Sequence, residues 1–188
     1  MNLSRSFVAV SLALTLASTC FAQTPQAQNE PGHMSDAMPA KPPVPPSRSL
    51  TVSFEGRAIT LSVEDLMNMP QVTLHVHNEH SKADETYSGP LLADVLAKAG
   101  LVSSRETQPL ILHSSLVATG TDHYFVLYSV AEVEPAFSTG KVIVALMKAG
   151  LPDTDGGVIQ LINTTDAKPA RWVHGLANLS VMSLAPKQ

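Results

Sequence analysis

Cysteine is almost absent: Cys20 is the single one in a chain of 188 residues. One thiol excludes an intramolecular disulfide, a Cys-rich zinc site and a Cys-ligated iron–sulfur cluster. Charge is sparse as well, at 15% charged residues, and no run of Lys or Arg occurs. With 12 basic against 16 acidic residues and a net charge of -4, the chain lacks the clustered cations that neutralise phosphates, so no nucleic-acid partner is expected. There is no Gly-x-Gly-x-x-Gly or Walker sequence to cradle a nucleotide, and Ser114-Ser115 lacks the Gly-x-Ser-x-Gly elbow that exposes a nucleophile. No segment approaches the roughly 20 apolar residues that a transmembrane span requires.

What is present begins with an export signal. Arg5 precedes an apolar run over 7–17, followed by small residues and Cys20-Phe21-Ala22-Gln23, the order of a secretory signal peptide over 1–22. Cleavage after Ala22 discards Cys20; cleavage before it would leave a lipidated N-terminus, but Thr19 is larger than the residue usual at that position. The first reading is favoured, giving a periplasmic or secreted protein over a lipoprotein anchored at Cys20. Either way the folded domain carries no thiol.

Residues 23–49 are Pro-rich, with Pro42-Pro43-Val44-Pro45-Pro46 near their end, and read as a disordered linker. The folded domain is expected over 50–185. Alternation over 50–54, a Glu55-Gly56 turn and strand-like composition over 58–63 predict a hairpin. Ser62 with Asp65 predicts a capped short helix. Residues 71–77 alternate again, with Val72, Leu74 and Val76 on one face and Thr73, His75 and His77 on the other. After a polar loop, Gly89-Pro90 opens a helix over 91–99, ended by Gly100. Strands are expected over 110–117, 124–128, 142–147, 158–162 and 176–182, with a second capping box at Ser129 and Glu132. The fold class is α+β, mixed sheets with a few short helices.

Candidate chemistry centres on His75, His77 and His80. Imidazoles at i and i+2 of a strand project to one face and can share a transition metal, with His80 bending back as a third ligand and Glu79 and Asp84 in reserve. His113, His123 and His174 read as hydrogen-bonded structural histidines. Asp153-Thr154-Asp155-Gly156-Gly157 lacks the later ligands of a calcium loop and reads as a tight turn. Lys168 and Arg171, in a loop rich in hydroxyl and backbone donors, are candidates to hold a phosphate or carboxylate. No catalytic residue is assigned.

Tyr87-Ser88-Gly89-Pro90-Leu91-Leu92-Ala93-Asp94-Val95-Leu96 with Gly100 resembles the helix-opening motif of sulfite-oxidase-type molybdopterin-binding domains. Asp122-His123-Tyr124 is similar to the family's Asp-Gly-Tyr stretch, 129–132 to its next capped segment, Val144-Ala145 to its Leu-Ala strand, and 161–181 to its closing segment. The resemblance implies the sulfite-oxidase fold and, by descent, a molybdenum oxidoreductase holding molybdopterin through Lys168, Arg171, Asp122 and Tyr124. It also places the metal-ligating cysteine just after the 71–77 strand. Here that stretch reads Asn78-Glu79-His80-Ser81-Lys82. The expectation is therefore an exported domain diverged from molybdenum catalysis into a periplasmic ligand-binding or accessory redox module, with a small-molecule or cofactor ligand or a periplasmic redox partner. Two alternatives stand beside it: an active molybdopterin enzyme with a non-thiolate metal ligand, and a histidine-ligated transition-metal protein.

Overall fold

The computed structural model describes residues 44–184, so the expected signal peptide, Cys20 and most of the Pro-rich stretch lie outside the described residues. Strands β1 (Ser49–Phe54) and β2 (Arg57–Ser62) form the expected hairpin. Leu50, Val52 and Phe54 alternate inward along β1. The chain then enters α1 (Val63–Met67), whose start is fixed by reciprocal bonds: Ser62 Oγ accepts from Asp65 N–H, and Asp65 accepts from Ser62 N–H at 2.8 Å.

β3 (Gln71–Asn78) pairs antiparallel along its whole length with β4 (Ala83–Pro90), which corrects the polar loop expected there. Asp84, Glu85 and Thr86 conceal the strand in the sequence, but each lies opposite a β3 residue. β4 runs into α2 (Leu92–Lys98), where Leu92, Val95 and Leu96 are buried. Residues 110–112 are a second correction: Pro109 sits in the first turn of α3 (Gln108–Leu112), and the strand starts only afterwards, as β5 (Ser114–Gly120). β6 (Phe125–Ser129) and the capped α4 (Val130–Val133) follow as expected. The remaining strands are β7 (Val142–Ala145), β8 (Met147–Lys148), β9 (Leu151–Pro152), β10 (Gln160–Asn163) and β11 (Leu176–Ser183).

These strands make a five-stranded sheet in the order β2-β1-β11-β5-β6, a four-stranded sheet β3-β4-β8-β9 and the pair β10-β7. Within the first sheet, β1 and β11 run parallel. The main core lies between that sheet and helices α1 and α2, around Leu50, Val52, Leu66, Leu92, Leu116 and Leu179. A smaller core joins the other sheets through Leu74, Tyr87, Ile143, Ala145, Ile162 and Trp172. Its two aromatic rings meet edge to face, with centroids 5.8 Å apart, and together they line a cleft. The architecture is mixed α+β, mostly sheet with a few short helices. No helix among the described residues is long and apolar enough to cross a membrane.

Candidate functional site

A cleft of about 900 Å³ opens over Tyr87 and Trp172. One wall is the β3–β4 loop, residues 78–82, with Glu85 behind it. The opposite wall is the segment leading into β11, contributing Lys168, Pro169, Ala170 and His174. Asp122 and Tyr124 close one end, while Lys148 and Gln160 reach in from β8 and β10. Val44 also lines it, because the last part of the expected linker is docked: Ser47 N–H donates to Gly157 C=O at 2.9 Å and Thr121 Oγ1 donates to Pro45 C=O.

Glu85 is the best-connected group of the cleft. It accepts from Asn78 Nδ2 at 2.8 Å, Tyr87 Oη at 2.7 Å, Lys148 Nζ at 2.9 Å and Ser81 Oγ at 3.2 Å. Burial pushes its carboxyl up, but the bonds from Asn78, Tyr87 and Lys148 and the lysine charge outweigh that and hold it at about 2. Tyr87 responds oppositely: burial, then its bond to the Glu85 carboxylate, raises the phenol well above its usual range. Lys148 Nζ also lies 5.5 Å from the centre of the Tyr87 ring. Four donors on its two oxygens hold Glu85 in the ionised form and tie β3, β4 and β8 together.

The structure separates the sequence-predicted residues. Alternation along the β3–β4 ladder puts Glu85 and Tyr87 on the face of Val76 and Leu74, and His75 and His77 on the reverse face. There His75 Nδ1 is 3.0 Å from Thr86 Oγ1, and His77 Nδ1 is 2.7 Å from Asp84 Oδ1. His80 lines the cleft. The three histidines therefore do not converge, and among the described residues no group of three or more His, Cys, Asp or Glu side chains is placed to hold a metal ion.

Asp122, Tyr124 and Lys168 do share the cleft. Asp122 Oδ1 accepts from Tyr124 N–H at 3.0 Å around His123, whose φ of 66° occupies the region that glycine enters most easily. Tyr124 Oη donates to Ala170 C=O, tying that end to the opposite wall. Arg171 turns away. Its guanidinium donates to Asp166 from Nε at 2.9 Å and from Nη2 at 2.5 Å, reaches Glu132 at 3.3 Å and stacks 4.5 Å from the centre of the Tyr128 ring. Those partners consume the fork that was expected to hold an anion.

Sequence reasoning missed Glu85, Lys148 and Gln160 as members of the site and read His174 as structural. Gln160 is 1% exposed, and its Nε2 lies 3.1 Å from His174 Nε2. No short motif joins these residues; three different strands and a loop bring them together.

The described residues form a mixed α+β domain whose cleft is lined by aromatic side chains and by charges of both signs. No family model matches the chain, and no curated protein matches it. Among solved structures it is similar to the sulfane dehydrogenase SoxCD from Paracoccus pantotrophus, with a TM-score of 0.56 at 15% sequence identity. The match covers 72% of this chain and 39% of that one, so this chain corresponds to less than half of the dehydrogenase subunit.

Proposed function

We propose that this chain is an exported domain of the sulfite-oxidase type that has diverged from molybdenum catalysis into a ligand-binding or accessory module, working through the cleft over Tyr87 and Trp172. The likeness to a sulfane dehydrogenase supports the fold. One observation carries the divergence. Residues 78–82, where the resemblance calls for a thiolate, line the cleft and offer only the side chains of Asn, Glu, His, Ser and Lys. That donor set does not fit a thiolate-anchored ion. The anchors expected for a pterin phosphate are halved too, since Arg171 is engaged with Asp166 and Glu132 and leaves Lys168 alone.

The test uses protein purified from its native host, with metals measured by mass spectrometry and pterin by fluorescence after oxidation. Neither molybdenum nor pterin is expected in stoichiometric amount. Molybdenum with pterin near one per chain would overturn the reading in favour of an active enzyme with a non-thiolate ligand. Copper, zinc or nickel without pterin, lost in a His75→Ala, His77→Ala double variant, would overturn it in favour of a histidine-bound metal protein.

A further inference from the structure

The buried side chains behind the cleft carry information about its ligand. Asp153 is 2% exposed; its Oδ1 accepts from Gly156 N–H at 2.9 Å, and its Oδ2 is buried without a hydrogen-bond partner. That oxygen and Gln160 Oε1 border the same spot beside Gly156. A Cβ added at Gly156 would lie 2.2 Å from the first and 2.5 Å from the second, so glycine is required for the two to pack there. The turn is locked from the other side as well, because Gly175 N–H, just after His174, donates to Gly156 C=O at 2.7 Å.

Two acceptor oxygens converging on one spot repel unless one of them carries a proton. Gln160 cannot supply it from Oε1 while Nε2 is turned to His174. A protonated Asp153 satisfies the whole set: Oδ2–H faces Gln160 Oε1, Gln160 Nε2–H donates to His174 Nε2, and the imidazole must then carry its proton on Nδ1. We propose that Asp153 and Gln160 are positioning residues that fix His174 as the Nδ1–H tautomer, presenting a neutral donor to the cleft for the carboxylate of a small organic acid. Burial of Asp153 raises its carboxyl above the usual range, in the direction the protonated form requires.

The charge balance of the cleft selects among anions. Lys82, Lys148 and Lys168 share the lining with Glu79, Glu85 and Asp122, so its cations and carboxylates balance. Lys82 is paired with Glu79 at 2.6 Å and Lys148 with Glu85 at 2.9 Å, which leaves Lys168 and Asp122 as the lining charges without an ion-pair partner among the described residues. With one unpaired cation, one unpaired anion and the His174 donor, the lining tolerates the single charge of a carboxylate at Lys168 better than the doubled charge of sulfate or phosphate. Tyr87, Trp172 and Pro169 supply apolar wall for the carbon skeleton.

This inference rests on the reading of the cleft as a ligand site, but its first test does not need a ligand. Long-range proton–nitrogen NMR of the ligand-free chain, with the His174 signals assigned by their loss in His174→Phe, should show Nδ1 protonated at neutral pH. An Nε2–H tautomer would overturn the relay while leaving the ligand-binding reading intact. Asp153→Asn, which keeps a donor toward Gln160, should preserve the tautomer; Gln160→Met should abolish the preference. If Gln160→Met does not fold, the wild-type and Asp153→Asn spectra still decide the point. Acetate should then shift the His174 and Lys168 signals saturably, with about tenfold weaker binding in His174→Phe. A stronger response to sulfate, or none to acetate with the Nδ1–H tautomer present, would overturn the carboxylate assignment alone.

Discussion

Gly89 shows how a single missing side chain positions the site. It lies in β4 where the strand passes over β7, and a Cβ there would fall 1.9 Å from Val144 C=O and 2.9 Å from Ala145 Cα. Both obstacles are backbone, which cannot swing aside as a side-chain tip can. Gly89→Ala is expected to cost about 3 kcal/mol in urea unfolding, at the upper end of what overpacking produces; a loss within experimental error would mean that the β4–β7 approach is looser than described. Two residues earlier on the same face is Tyr87, so the close approach also sets the cleft floor. Glu85 gives a second expectation, with a definite sign. Its carboxyl is held at about 2 in the folded chain from an ordinary 4.5, so the unfolded chain takes up the proton first as pH falls. Its stabilisation is present above pH 4.5 and disappears as pH drops toward 2. Wild type should therefore exceed Glu85→Gln in stability at neutral pH, with the gap closing across that interval in parallel denaturation curves. A gap independent of pH would contradict the assignment of the ionised form.

Among the elements, the capped helices were legible and the polar strand was not. Ser62 and Asp65 announce α1 because two backbone donors at its start are satisfied by their side chains, and those bonds are made. Ser62→Ala should cost about 1 kcal/mol in thermal or urea unfolding; no change would show that α1 is held by the burial of Leu66 alone. The β1–β2 hairpin and β3 were legible for a different reason, since apolar residues recur at the period of two that a half-buried strand imposes. β4 breaks that rule. Its inward positions are Glu85, Tyr87 and Gly89, and Glu85 enters the interior only because four donors converge on it. No local pattern encodes a carboxylate whose partners come from β3, β8 and a loop. α3 failed in the opposite sense. Its five residues bury only Ile111, too few for a helical period to show, so Leu110-Ile111-Leu112 resembled an apolar strand. The histidines followed the same logic: alternation correctly put His75 and His77 on one exposed face, but which face borders the cleft depends on what packs behind β3.

At the scale of the whole molecule, the cleft belongs to no single element. Its walls are separated by nearly the whole domain in sequence, from Val44 to His174, and local spacing is blind to such a site. Asp122, Tyr124 and Lys168, grouped in the sequence by the resemblance, share the cleft lining, whereas Arg171 does not and the buried Asp153–Gln160 support has no motif to announce it. A last consequence comes from the parallel pairing of β1 with β11, in which Thr51 lies opposite Asn178 and Phe54 opposite Val181. The central sheet takes its middle strand from the far end of the domain, so its hydrophobic layer cannot close on a partly synthesised chain. Contacts of such separation slow folding into the millisecond-to-second range. Stopped-flow refolding followed by Trp172, the single tryptophan, should fall in that range, and removing residues 176–188 should abolish the cooperative transition. A cooperative transition in the shortened chain would show that the other sheets suffice. Until β11 is made, β1–β2 and β5–β6 are two separate hairpins with nothing to join them edge to edge.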